Sequence, residues 1–523
     1  MKFGQKGLFG ICVGVAMHSA LPGLAETITL KSNDGAFSIT GELTEFDGEI
    51  YVLQSMVGEI RVSVEEVSCT GESCPDLSLY VKEFTIVAPA TANQTLLPTL
   101  IDAFSTANGY TPSVAPESEA DTLIIDMPNG SEENARAITL KNGDPAEGFS
   151  AFRDKDASIV IATRMPLSEE LAVLDGANIG DIESPEQRSI LGLDGVVVLV
   201  APQNPIRSLS IKQIGDIFSG AIDNWAQLGG PDAAINIYRG AEASDASVFF
   251  TKEILAKTGR GFVEGTNIIE DSTIATTVEQ DAFAIGFASY RDNTAARAVV
   301  IRGNCGVFST PTAFSIKTEE YPFSYRLNVF RQKDDLTDVG LALSDFLRSE
   351  AAQASVASAG YVDLSIDSTR VSAQGLRLMN AIQFAKTEVD LNDLQDMVDT
   401  LTDAQRLSVT FRFSADSRTL ESRAEGDIKR LIELLKTESY NNKDVLLVGF
   451  TDNVGQASVN ARLSRQRADQ VLALIRAAIP SGELGDSRFS THGFGEISPV
   501  ACNDVPHGRF TNRRIEVWVR NKN

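Results

Sequence analysis

The sequence predicts a multidomain α/β protein, and three observations carry that prediction. The chain has 523 residues, too many for a single core of ordinary size, so about three domains are expected. From residue 83 onward, short apolar runs such as FTIVAPA and GVVVLVAP alternate with stretches whose apolar residues recur every three or four positions. That is the pattern of strands alternating with helices around a mainly parallel sheet. Before residue 80 the pattern is different, with apolar and polar residues alternating over short runs between turn signals.

Composition narrows the function. Hydrophobic residues make up 43% and charged residues 22%, a globular balance. The net charge of −25 argues against nucleic acid as a partner, because phosphate backbones are bound through Lys/Arg footprints. A local anion pocket is compatible with it.

Residues 1–25 read as a secretory signal. Lys2 and Lys6 form a basic start, residues 7–16 are mostly small and apolar, and Gly23-Leu24-Ala25 offers a small-residue cleavage site. The apolar run is too short to span a bilayer, and Cys12 lacks a lipobox-like context. No later stretch is apolar enough for a transmembrane helix, so an exported chain without a membrane span after cleavage is expected, in the periplasm. Export permits disulfides. Cys69 and Cys74, five apart, suit a local bridge, whereas spacing alone does not pair Cys305 and Cys502. Beyond the signal, two histidines, His492 and His507, and no second close Cys pair leave no four-ligand metal site, so no metal or cofactor is expected.

Residues 26–80 read as a small acidic β module. Turn signals fall at Asn33-Asp34-Gly35, Asp47-Gly48 and Gly58, and eleven acidic side chains stand against Lys31 and Arg61. It carries no catalytic constellation.

Residues 81–370 form the central α/β module. FTIVAPA is a strand, and Thr91 to Ala107 reads as a helix with Leu97, Leu100, Ile101 and Phe104 on one face. Three further strand–turn–helix units follow. In such folds ligands sit where strand ends meet helix N-termini, which favour anions. The stretch LDGVVVLVAPQNPIRSLSIKQIGDIFSGAIDNWAQLGG, then AIGFASY, YPFSYRLNVF and AGYVDLS, in that order, resembles the phosphate-binding periplasmic proteins of the PstS type. The resemblance covers nearly the whole module. It implies the two-lobed periplasmic-binding-protein fold with a small oxyanion, such as phosphate, held in the cleft.

Carried over residue by residue, that resemblance points to Thr91 in the first loop, Thr163-Arg164 after a later strand, Arg239 before the second anion loop, and Ser244 within it. The family's Ser-Gly-Thr loop is altered here, because Asp245 and Ala246 replace Gly and Thr. The new carboxylate repels an anion, so a different small anion, a different polar ligand, or a rigid interaction module for another envelope protein stay open as readings. Asn224 and Trp225 in the NW signature read as structural.

Residues 371–404, with VSAQGLRLMNAIQFA and LNDLQDMVDTL, have helical periodicity and are expected to bridge to the last domain, with Asn392-Asp393 near the second helix start. Residues 405–523 repeat strand–helix–strand–helix–strand. LLVGF is a buried strand that ends at Thr451-Asp452-Asn453. The following helix puts Asn460, Leu463, Ser464, Arg467 and Val471 on one face. Asp452 and Arg467 can then approach one small volume. A carboxylate and a guanidinium placed so suit a zwitterion, the Asp taking an ammonium and the Arg fork a carboxylate.

TDNVG, NARLS, RQRA, GFGEISP and NRRIE, in that order, resemble the C-terminal domain of the OmpA family, an α/β sandwich, over about residues 405–520. The resemblance implies binding to the diaminopimelate of the peptidoglycan stem peptide through Asp452 and Arg467. Thr451, Asn460 and Leu463 lie beside the site, and Asn512 and Arg513 match the NRR segment. Phe450 stands where many members have His. Nothing upstream has the regular alternating segments of that family's outer-membrane barrel. No GxSxG, HExxH or metal cluster points to an enzyme. The expected function is a non-enzymatic envelope protein, bound to peptidoglycan at the outer-membrane side and carrying a solute-binding module.

Overall fold

The structure, a computed structural model, describes residues 27–522 apart from 34, 47–49, 72, 76–81, 115–120, 127–135, 178, 294, 334–335, 337, 385–390, 414–419, 441–442 and 480–488. The signal expected over 1–25, with Cys12, lies outside the described residues, as do Asp34, Asp47 and Gly48.

The chain divides into two compact units. The first holds the N-terminal sheet. Its strands Thr27–Ser32, Ser38–Phe46, Ile50–Ser55, Gly58–Ser63 and Val67–Thr70 lie in the order fourth, third, second, first, fifth. Four strands form an antiparallel meander, and the fifth folds back along the first. Ile28, Leu30, Tyr51, Leu53, Val62 and Val67 fill its core, and Cys69 is bridged to Cys74.

The second unit holds the central and C-terminal modules. The strand Arg188–Val200 organises the central one. Its first half pairs with Ser324–Arg331, and its second half pairs with Ala284–Ser289. Each half belongs to a different core. One core gathers Phe84, Ile86, Leu100, Phe104, Ile159 and Val329, and the other gathers Val198, Ile217, Phe218, Trp225, Phe250 and Phe287. Two lobes sharing crossing strands result, as the resemblance of the central module implied. Trp225 is fully buried and donates Nε1–H to Phe283 O at 2.9 Å, while Asn224 caps the short helix Trp225–Leu228. Both residues are structural.

The first helix departs from expectation at its start. A π-helical turn, Ala92–Leu96, precedes the α-helix Leu97–Asn108. Pro98 has no N–H to offer residue 94, so the regular ladder cannot close there.

The C-terminal sheet has the order Ser368–Arg370, Gln405–Arg412, Arg514–Asn521, Lys443–Phe450, Phe489–Gly493. The helices Arg423–Lys436 and Ala457–Ala478 cover one face. The helices Gly375–Phe384 and Leu391–Leu401 supply Ala381, Met397 and Leu401 to the other face, against Leu446, Val448, Phe450 and Trp518. The stretch 371–404 is therefore a layer of this domain as well as a bridge to it. Asn392 and Asp393 fall within the second helix's first turn instead of capping it. Covering both faces explains why Lys443–Phe450 reads as a continuous apolar run rather than an alternating one.

The long helix Ala457–Ala478 touches the sheet backbone to backbone. A Cβ on Gly449 would stand 2.1 Å from Ser464 O, and one on Gly493 would stand 2.4 Å from Arg465 N. Only glycine allows that approach, and the approach sets where Asn460 and Arg467 lie relative to Asp452.

The two modules of this unit are fastened together. Cys305 of the central module is bridged to Cys502 of the C-terminal domain, and Asn380 both accepts from Phe308 N and donates to Phe308 O at 3.1 Å. After the helix Ala313–Lys317, Glu319 meets Arg326, Arg412 (3.1 Å) and Arg423 (3.6 Å). Glu320 pairs with Arg406 and faces Arg514 at 3.8 Å. Lys317 is buried and reaches Asp363 (3.1 Å) and Asp367 (2.7 Å) in the segment leading onward. Burial alone would raise the Glu319 carboxyl, but Arg326, Arg423 and Arg412 outweigh it and hold it well below the usual carboxylate range.

Glu319 has φ 55°, the left-handed region, which costs a non-glycine residue roughly 1 kcal/mol and aims its carboxylate at the arginines. Glu319→Gln strands buried guanidinium groups. It is expected to destabilise the unit by about 3–5 kcal/mol, read in a denaturant melt.

Candidate functional site

Two sites stand out, one in each module of the second unit. In the C-terminal domain, the strand Lys443–Phe450 delivers Thr451 and Asp452 at its end, both buried. Asp452 Oδ1 accepts from Val454 N at 3.1 Å, and Oδ2 accepts from Arg513 Nη1 at 2.6 Å. Asn460 donates to Glu496 Oε2 at 2.8 Å and to Asp452 O at 3.4 Å, tying the helix to the strand end. Ser464 accepts from Gly495 N at 3.0 Å, and Gly495 O accepts from Thr451 N at 2.8 Å.

Arg467 lies half-buried with its guanidinium 5.3 Å from the centre of the Phe413 ring. Burial, with Arg513 nearby, lowers its pKa, and Asp452 opposes that shift. Among the described residues its Nη1 and the hydroxyl of Thr451 are buried without a hydrogen-bond partner. Such groups are costly unless something else satisfies them.

The sequence-derived set is thus brought together only in part. Thr451, Asp452, Asn460 and Arg467 cluster, and Leu463 is half-buried on the same helix. Arg513 pairs directly with Asp452, a contact that sequence spacing does not reveal. Asn512 requires a correction as a ligand-binding residue. It is fully buried, accepts from Val500 N and Ala501 N, and donates to Ala501 O and Asn503 Oδ1. Every bonding capacity of that amide is used within the fold.

The second site lies between the lobes of the central module. The helix Asp245–Glu253 begins with Ser244 as N-cap, accepting from Ser247 N at 3.3 Å. Asp245 Oδ2 accepts from Thr91 Oγ1, at the start of the other lobe's first helix. One turn on, Thr95 Oγ1 accepts from Arg291 Nη1 at 2.9 Å, and the same Nη1 donates to Tyr361 OH at 3.0 Å. Asp194, fully buried on the crossing strand, accepts from Ser289 Oγ, from Gly195 N at 2.7 Å and from Tyr325 OH at 3.2 Å. Asp292 lies 3.5 Å from Arg291.

The oxyanion set expected from the sequence does not assemble as free donors. Thr91 is engaged by Asp245. Arg164 makes a bidentate pair with Glu170, at 2.6 and 2.7 Å, and fixes the start of the helix Ser168–Asp175. Arg239 is buried, lies 4.3 Å from the Phe262 ring centre, and donates to Gly240 O and Thr266 Oγ1. Thr163 is half-buried beside Arg164. Asp194, Arg291, Tyr325 and Tyr361 were missed; the available signals were Arg291 directly after AIGFASY and the Tyr residues inside YPFSY and AGYVD.

The comparisons fit this architecture. The model of the PBP superfamily domain matches residues 85–347, half of the chain, and the protein belongs to that superfamily. The OmpA family model matches residues 412–513. Outer membrane porin F of Pseudomonas fluorescens is 32% identical over 114 residues, 22% of this chain and 33% of the relative. Peptidoglycan-binding protein ArfA of Mycobacterium tuberculosis is 32% identical over 127 residues, 24% of this chain and 36% of the relative. The chain thus spans about a third of the length of these two curated relatives. An ABC-type phosphate transport receptor from Vibrio cholerae aligns in structure at a TM-score of 0.40 with 18% identity, over 53% of this chain and 99% of the receptor.

The cleft carboxylates share one electrostatic signature. Burial pushes Asp194 up to about 6, against the hydrogen bonds from Ser289 and Gly195. Burial also raises Asp245, Asp271 and Asp292. A carboxyl with a raised folded pKa holds its proton more tightly when folded, so it favours folding as pH falls from 7 through 6. The central module is therefore expected to melt at a higher temperature at pH 5 than at pH 7. Asp194→Asn should shrink that difference, by roughly 1.3 kcal/mol between pH 7 and pH 5, as read in paired thermal melts.

Proposed function

We propose that this protein is a non-enzymatic component of the Gram-negative envelope, anchored to peptidoglycan by its C-terminal domain and presenting its two-lobed module in a fixed orientation. The observation that carries the reading is the Arg467 guanidinium, with a buried unpaired Nη1, beside the Asp452 carboxylate on an OmpA-type scaffold. A stem-peptide diaminopimelate carries an ammonium and a carboxylate on one carbon. Asp452 takes the first, in competition with Arg513, and Arg467 takes the second. The relative named as a peptidoglycan-binding protein supports the same role, as do the envelope names of the other relatives.

For the central module, the sequence favours a small oxyanion such as phosphate, with binding of another envelope protein or a different polar ligand as the alternative. The geometry favours the alternative, because Arg164 and Arg239 are paired internally and Asp245 occupies the meeting point of the lobes.

Purified sacculi should retain the wild-type protein. Arg467→Ala should lower its affinity roughly ten- to a hundred-fold, the loss of about 1.5–3 kcal/mol typical of a charged hydrogen bond. Undiminished retention of an Asp452→Ala, Arg467→Ala double variant rules the assignment out. Calorimetry of the wild-type protein with inorganic phosphate should give no binding heat, and a saturable signal would restore the oxyanion reading.

A further inference from the structure

The Asp245 carboxylate stands where two helix N-termini meet, one from each lobe. It is the N-terminal residue of the helix Asp245–Glu253, and its Oδ2 accepts the hydroxyl of Thr91, which precedes the opposite lobe's first helix. The helix dipoles at such a junction favour negative charge, while burial opposes it. A second contact runs in parallel, with Arg291 on one side and Thr95 on the other. Thr91 and Thr95 are four residues apart, so one face of one helix meets a carboxylate and a guanidinium from the other lobe. Arg291 is itself held by Tyr361, with its guanidinium 4.9 Å from that ring centre.

We propose that Asp245 serves as a built-in anion, a carboxylate supplied by the chain itself that occupies the interlobe junction and latches the cleft shut through Thr91. The proposal rests on the scaffold reading of the central module. It accounts for three facts together: an acidic residue where anion recognition would call for a donor, the hydroxyl of Thr91 directed to that residue, and the pairing of Arg164 and Arg239 elsewhere. A tethered carboxylate acts at high effective concentration and carries no association cost, so free phosphate at ordinary levels competes poorly with it. The module then presents one closed shape to a partner instead of opening and closing on a solute.

Two variants of the full-length chain test this. Thr91→Val removes the donor and leaves the carboxylate in place. Asp245→Ala removes the carboxylate and empties the junction. Amide hydrogen exchange over residues 92–108 and 245–253 should rise at least about tenfold in both variants, with circular dichroism and the C-terminal domain's exchange unchanged. Asp245→Ala alone should gain measurable heat with inorganic phosphate. Exchange equal to wild type in both variants overturns the latch. No phosphate binding by Asp245→Ala overturns the claim that the carboxylate stands in for an anion. Phosphate binding by the wild-type protein overturns instead the scaffold reading on which the proposal rests, so the failures are told apart.

Discussion

Glu319 and Glu320, half-buried among the arginines of the C-terminal domain, are the contact on which the arrangement of the second unit depends. Charges taken out of water are tolerated only when every partner is present. Here the partners come from both modules: Arg406, Arg412, Arg423 and Arg514 on one side, and the two glutamates with Arg326 on the other. The carboxylate of Glu516 extends the network by meeting Arg377 at 2.8 Å, Arg406 at 3.3 Å and Arg514 at 2.8 Å. The Cys305–Cys502 bridge adds a covalent tie between the same two modules. A two-lobed module held in this way to the OmpA-like domain keeps a fixed orientation to it.

The candidate wall site depends on a different constraint. Gly449 and Gly493 let the long helix lie against the sheet backbone, and that closeness brings Asn460 and Arg467 to the strand end at Asp452. Arg467 is steadied by Phe413 rather than by a salt bridge, so its fork is left for a ligand. Arg513 holds Asp452 through a 2.6 Å contact to Oδ2. Rigid elements thus set the geometry of the candidate site, and Arg467 Nη1 is its buried donor without a hydrogen-bond partner among the described residues.

Much of this was legible in residue patterns. The strand–helix alternation and the pairing of Cys69 with Cys74 follow from local periodicity and spacing, and so does the approach of Asp452 to one face of the Arg467 helix, whereas the two-lobed module and the C-terminal sandwich were implied by the family resemblances. In the cleft, residue type was legible but the partners were not. Arg164 and Arg239 have the residue type an oxyanion requires, but a guanidinium binds whichever acceptor lies nearest. Glu170, on the first turn of the next helix, takes Arg164, while Gly240 O, Thr266 and the ring of Phe262 take Arg239. Asn512 was misread in the same way, because an amide in a recognised motif serves the loop at 500–503.

The sequence by itself determined which segments are strands and helices, because side-chain periodicity is a local property. It also determined that a carboxylate and a guanidinium can share the end of one strand. Only the tertiary structure decided which faces are buried. The alternation Arg514, Glu516, Trp518 opposite Ile515, Val517, Val519 looks like a polar outer face, yet both sets are buried. The helices of 375–401 cover that second face, and Glu320 of the central module reaches its charges. No local pattern encodes such a cover, since it depends on contacts between residues far apart in the chain.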